Sequence, residues 1–214
     1  SGAVAQIDTA SFSTEVTKLS GAYSEGICTH GEYLYICNSG QGEDNTLSVV
    51  SIAEFEEKES ITVPYNPVNI VDAGNGQLYL NTASVWSGAA AGEPANLHIF
   101  DPSTKKVTHT FDIEVESISA GKKYIYGTAT NWSTYGGILK KVSIVDKSVS
   151  DFTTSTSKLM LAYKITVNPL TGEVFVTQQM GQDINRFKED GTHIETLKAG
   201  QQNGTAVAFV NAVN

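Results

Sequence analysis

The chain has 214 residues, with 14 Lys and Arg against 23 Asp and Glu, a formal charge of −9 and a pI near 4.8. That balance opposes a phosphate backbone and no local basic cluster offsets it, so nucleic acid is excluded as a partner. At 40% hydrophobic and 17% charged the composition is too apolar for disorder, and no apolar run approaches the ~20 residues of a membrane-spanning helix.

In chain order the predicted elements are short strands between Gly, Asn, Asp and Pro turns. A strand over residues 4–9 ends in the Ile7-Asp8-Thr9-Ala10 turn, and an alternating strand, Thr14-Glu15-Val16-Thr17-Lys18-Leu19, follows. From there one unit recurs four times, and its strands are called a, b, c and d. Strand a copies are Gly26-Ile27-Cys28-Thr29, Val68-Asn69-Ile70-Val71, Ser117-Ile118-Ser119 and Lys164-Ile165-Thr166-Val167. A Gly turn leads to strand b, with aromatics Tyr35, Tyr79, Tyr126 and Phe175 at steps of 44, 47 and 49 residues. Strand c is expected at Leu47-Ser48-Val49-Val50-Ser51, Leu97-His98-Ile99-Phe100-Asp101, Val142-Ser143-Ile144-Val145-Asp146 and Ile184-Asn185-Arg186-Phe187-Lys188, each followed by a strand d. The single helical candidate, residues 51–58, is short, uncapped and set between strand patterns.

A repeat of ~45 residues built from four strands predicts an all-β chain, a β-propeller of about five four-stranded blades. Strand b is apolar at consecutive positions, which calls for burial on both faces, while the d strands alternate as outer edges do. The expected organisation is one propeller domain over 1–214. Its repeat units are 20–63, 64–113, 114–160 and 161–199, and an incomplete blade is shared by 1–19 and 200–214, with a closing strand a at 205–210. That blade shows no strand b. Either the ring closes imperfectly with about five blades, or the chain is the C-terminal part of a larger, seven-bladed propeller.

The Asn38-Ser39-Gly40 step after strand b, the Asp8 and Ile99-Phe100-Asp101-Pro102-Ser103-Thr104 turns, and Asn66-Pro67 opening a strand resemble the YVTN/YncE-like β-propeller family. The resemblance implies a bacterial envelope protein, periplasmic or at the cell surface, and a lipid anchor carried by an N-terminus upstream of Ser1.

Catalytic residues are expected to be none. His30, His98, His109 and His193 fall in different units and match no metal or nucleophile motif. Asp8, Asp101 and Asp146 recur as caps of the c–d turn. Cys28 and Cys37, diagonal on one hairpin, are expected as two buried thiols, and no cofactor or metal is expected. The Gly42-Glu43-Asp44-Asn45 stretch reads as a polar turn, with a calcium site as the competing reading.

The functional signal is aromatic. Trp86 and Trp132 fall in matching b–c loops, over 84–96 and 129–137, and a propeller brings b–c and d–a loops to the same face. That face would gather Trp86, Trp132, Tyr135 and Tyr65 with the amides of Asn66, Asn38, Asn131 and Gln178, a set that fits stacked sugar rings and protein partners equally. The expectation is a non-enzymatic extracytoplasmic module that binds a glycan or a partner protein. The alternatives are a polysaccharide hydrolase or lyase using Glu25 and Glu116, and a structural subunit of an envelope complex.

Overall fold

The computed structural model describes residues 1–153, 159–179, 181 and 183–199. The chain forms two compact units, Ser1–Glu114 and Val115–Asn214. Among the described residues no helix is long and apolar enough to cross a membrane.

The first unit opens with a two-stranded sheet, β1 (Ala3–Ile7) and β2 (Thr14–Lys18). An antiparallel sheet of β3 (Ser24–His30), β4 (Tyr33–Asn38), β5 (Thr46–Ser51) and β6 (Glu57–Thr62) follows. The next holds β7 (Pro67–Asp72), β8 (Leu78–Thr82), β9 (Asn96–Asp101) and β10 (Lys106–Phe111). In the second unit one sheet joins β11 (Ser117–Ala120), β12 (Tyr124–Asn131), β13 (Gly136–Ser143) and β14 (Val149–Asp151). The other joins β15 (Ala162–Val167), β16 (Val174–Gln178), β17 (Asp183–Phe187) and β18 (His193–Lys198). Every four-stranded sheet is a meander in strand order a-b-c-d. The closing strand expected at 205–210 lies outside the described residues.

Burial follows the hydrophobic pattern. All of β8 and β16 is buried, as are Tyr35 to Asn38 of β4 and Ile125 to Thr130 of β12. The d strands β6, β10 and β18 alternate. In the first unit Tyr35, Cys37, Leu47, Ile70, Leu80 and Phe100 pack one core, and Leu19, Ile36, Val50 and Phe55 pack another beneath Val4 of β1. In the second unit Tyr126, Leu139, Phe152, Ile165, Val176 and Phe187 do the same. Each fully buried Leu, Ile or Phe contributes roughly 1.5–3 kcal/mol by leaving water.

Two backbone devices repeat. Before β3, β7 and β15 the chain passes through a left-handed residue, Tyr23, Asn66 or Leu161, with φ of 48°, 59° and 50°. Its carbonyl then accepts the N–H of the residue just past strand b, namely Ser39 at 3.1 Å, Ala83 at 3.0 Å and Gln179 at 2.9 Å. Each of these a strands carries a bulge in its first few residues, where the chain leaves the turn for the ladder. The c–d turns end on a second left-handed residue: Phe12, Phe55, Lys105, Lys147 and Gly191.

These turns correct two readings. Asp8 and Asp101 open their turns, each carboxylate accepting the N–H of the residues two and three places on. The residue that opens the third sheet's turn is Ser143, whose carbonyl accepts from Lys147 N–H at 3.0 Å and whose Oγ accepts from Asp146 N–H. Asp146 therefore sits three places later than the repeat predicted, and β13 ends at Ser143 instead of running through Asp146. The helical candidate at 51–58 is a turn of the same kind, opened by Ser51 and entering β6.

Candidate ligand-binding rim

In the first unit the d–a and b–c segments are tied together through Asp44. Its carboxylate accepts Ala22 N–H at 2.8 Å, Asn45 N–H at 2.7 Å and Thr46 Oγ1–H at 2.8 Å. Its carbonyl accepts Asn66 N–H at 2.9 Å. With that carboxylate spent on backbone and hydroxyl donors, residues 42–45 form a polar turn. Among the described residues no three His, Cys, Asp or Glu side chains group as metal ligands. A single 3₁₀ turn, Gly40–Gly42, precedes it, and Ser39 Oγ–H donates to Glu25 Oε1 at 2.5 Å.

The b–c loop at 83–95 rests on this turn. Asn66 Nδ2 donates to the carbonyls of Ala83 and Ser84, both at 3.2 Å, which holds the loop's stem beside Tyr65. Val85 closes the loop through backbone bonds with Glu93 at 3.0 Å and Gly92 at 2.9 Å, and its side chain packs on Gly42. Val85 is only 4% exposed while the next residue, Trp86, is 90% exposed. The indole therefore does not pack down over its own loop. Tyr23 and Tyr65 are exposed on neighbouring d–a segments.

The second unit builds an aromatic tip differently. The region expected as a loop over 129–137 is instead a tight hairpin, with β12 and β13 paired from Tyr124↔Ser143 to Asn131↔Gly136. Asn131 Oδ1 accepts Ser133 N–H at 3.0 Å and Thr134 N–H at 3.2 Å, capping the turn with its own side chain. Tyr135 takes φ of 58°, and its carbonyl accepts Leu161 N–H at 2.8 Å, next to a bridge between Gly136 and Met160. Trp132 and Tyr135 are 57% and 53% exposed, and Met160 is exposed beside them.

The amides divide sharply. Asn38 is fully buried, with Nδ2 donating to Ser48 Oγ at 2.9 Å and Thr46 Oγ1 at 3.1 Å, and Oδ1 accepting from Ser24 Oγ at 3.0 Å. Asn66 and Gln178 are also buried. Asn38 and Asn66 hold strands and loops together, and burial of all three leaves little face for a ligand; Asn131 is exposed but spends its carbonyl on its turn. The exposed members of the predicted set are thus Asn131 and the four aromatics: Tyr65 and Trp86 in the first unit, Trp132 and Tyr135 in the second.

Among the histidines, His98 is buried with Nε2 3.2 Å from Thr82 Oγ1 and Nδ1 3.0 Å from Thr110 Oγ1, and burial pushes it down to about 4. His109 and His193 pack edge-on against Phe111 and Phe187. His30 Nδ1 lies 2.8 Å from Asp72 Oδ2, joining the last residues of β3 and β7. Sequence reading missed this pair, although both residues close strand a of successive repeats. Asp72 also lines a cleft of about 520 Å³, together with Ile27, Cys28, Thr29, Leu34, Ile70 and Val71. Cys28 and Cys37 are free thiols, and burial together with the Asp72 charge pushes Cys28 up to about 12, leaving a neutral thiol and no nucleophile. Glu25 belongs to the first unit and Glu116 to the second.

No family model and no curated protein matches the chain, so the YVTN/YncE-like resemblance stays without family support. Solved structures do match. A luciferin-regenerating enzyme aligns with TM-score 0.65 at 12% identity over 98% of this chain and 73% of its own. A gluconolactonase from Xanthomonas campestris gives TM-score 0.61 at 11% identity, over 85% of this chain and 64% of its own. Hydrazine synthase from Kuenenia stuttgartiensis gives 0.61 at 12% identity, over 87% and 56%. The expectation that the chain is not an enzyme is thereby corrected. It rested on missing motifs, whereas the first two neighbours are named as enzymes and share this arrangement of sheets. At these identities the likeness shows the fold alone, and that fold is a β-propeller-like array of antiparallel four-stranded sheets.

Proposed function

We propose that this β-propeller domain binds a glycan at its exposed loop aromatics, with Trp86 as the principal stacking platform. The observation that carries the reading is the Val85–Trp86 step: the loop buries one residue as an anchor and holds the next almost wholly in water. An indole left exposed on a pinned loop is stabilised by a flat apolar partner, and a pyranose face is one. The residues that follow it in the loop are small, Ser87, Gly88, Ala89, Ala90, Ala91 and Gly92, so this stretch supplies none of the occluding apolar collar typical of a protein-interface anchor. The reading concerns binding and holds whether or not chemistry follows it. A glycan ligand also suits a location in the periplasm or at the cell surface.

The test is a glycan array followed by titration with tryptophan fluorescence. Trp86→Ala is expected to weaken retention of the bound glycan at least about tenfold, a loss of ~1.4 kcal/mol, with the circular dichroism spectrum unchanged. Full retention by the variant would remove the site, and capture of proteins with no glycan retained would transfer it to a protein partner.

A further inference from the structure

The rim segments of the first unit differ in charge from the rest of that unit. Residues 20–25, 39–45, 64–66 and 83–95 contain no Lys, Arg or His, yet hold Glu25, Glu43, Asp44 and Glu93. Asp44 is used internally. Glu25, Glu43 and Glu93 are exposed, and none forms an ion pair among the described residues. Elsewhere in the unit basic side chains are present and four carboxylates meet them: Glu54 and Glu56 meet Lys58, Glu59 meets Lys105, and Asp72 meets His30. The uncompensated carboxylates share the rim with Tyr23, Tyr65 and Trp86, whose ring faces are themselves electron-rich.

We infer that this rim selects a glycan bearing free amino groups, a glucosamine-type polymer whose ammonium groups meet Glu25, Glu43 and Glu93 while a ring stacks on Trp86. The inference rests on the glycan reading and adds the class of sugar. Aromatic faces and carboxylates are both attractive to an ammonium, and they repel uronates and sulfated sugars. An N-acetyl group keeps the ring and its stacking but removes the charge, so the two forms separate the contributions. The aromatic tip of the second unit carries no ionisable acid or base over 129–134, which makes the charged rim a property of the first unit.

The test titrates glucosamine oligomers against N-acetylglucosamine oligomers of equal length and linkage, at mildly acidic pH where the sugar amine is protonated. About tenfold tighter binding of the amine form is expected, from one cation–π contact and one or two exposed ion pairs, and raising the salt should shrink the difference. Glu43→Gln with Glu93→Gln should bring the two affinities to within about twofold. The charge-matched control, Glu54→Gln with Glu56→Gln, should leave the preference intact. Equal binding of both oligomers overturns the amine preference and leaves the glycan reading standing. A preference lost equally in the control assigns it to the net charge and overturns it. If neither oligomer binds while oligolysine does in a Trp86-dependent way, the partner is a protein and both readings fall.

Discussion

The carboxylate of Glu43 lies against Gly88, across two b–c loops of the first unit, in the space that a Cβ at position 88 would fill. Gly88 also takes φ of 87°, a conformation that side chains rarely adopt. The loop carrying Trp86 thus lies against the preceding sheet's turn, where a side chain at 88 would displace the exposed Glu43 carboxylate and would also have to adopt a left-handed backbone. Gly88→Val should unseat the loop tip, weaken glycan retention severalfold and cost about 1–2 kcal/mol of stability through the strained backbone. Denaturant titration and the binding assay read the two effects separately, and a variant with native stability and full retention would show that the seat is unimportant.

The pH dependence of stability should carry the mark of His98. Burial lowers its value from 6.5 to about 4, so between those pH values the unfolded chain holds the proton and the folded chain does not. The stabilisation is complete above about pH 6.5 and is lost as the pH falls towards about 4, a difference of roughly 3 kcal/mol. His98→Gln should cost about 1–2 kcal/mol at neutral pH by disturbing the Thr82 and Thr110 contacts. It should also flatten the profile in that window, which urea melts at successive pH values would follow.

His30 and Asp72 join the inner strands β3 and β7 at 2.8 Å, and each side chain is a little over a quarter exposed. Solvent screening keeps such a pair modest. A double-mutant cycle with His30→Gln and Asp72→Asn should give a coupling of about 0.5–1 kcal/mol. Asp72→Asn alone should cost somewhat more, because the carboxylate also accepts Gly74 N–H at 2.7 Å. A coupling near zero would mean that apolar packing alone joins the two strands.

The thiols give a chemical readout of the same core. Cys37 is fully buried and Cys28 is pushed up to about 12 by burial and by Asp72. Native protein should therefore react with a disulfide reagent at neutral pH far more slowly than protein in urea, with Cys28 leading. Rapid native labelling of both would show that the cleft beside β3 opens readily.

The parts of the fold legible in the sequence are those where one physical demand leaves one pattern. Burial on both faces forces consecutive apolar residues around Tyr35, Tyr79, Tyr126 and Phe175, so strand b and its spacing stand out. Turn chemistry is degenerate. Ser and Asp both accept the backbone N–H groups that close a c–d turn, so Asp146 looked like the counterpart of Asp101 when Ser143 held that place. The hairpin at 131–136 and the open loop at 83–95 share a composition of small polar residues, and only the capping by Asn131 separates them. At the rim the aromatics were legible because a Trp in a small-residue loop has little to bury against. Asn38 was misread because an amide suited to a sugar hydroxyl is equally suited to Ser24, Thr46 and Ser48.

The repeat also shows where stability can be added. The last residue of each c–d turn is left-handed, and Gly191 fills that place in the final sheet with φ of 89°, whereas Lys147 does so with φ of 61°. A side chain in that region costs roughly 1–2 kcal/mol against the following carbonyl, and glycine removes the cost. Glycine also loosens the unfolded chain by roughly 0.4–1 kcal/mol. The difference favours Lys147→Gly by up to about 1 kcal/mol, with little lost from an exposed side chain. Lys105→Gly should gain less, because Lys105 also pairs with Glu59 at 2.5 Å. The two variants compared by thermal melts should rank in that order. A destabilised Lys147→Gly would mean that the turn draws its shape from the Ser143 bonds and that the lysine at 147 bears no strain.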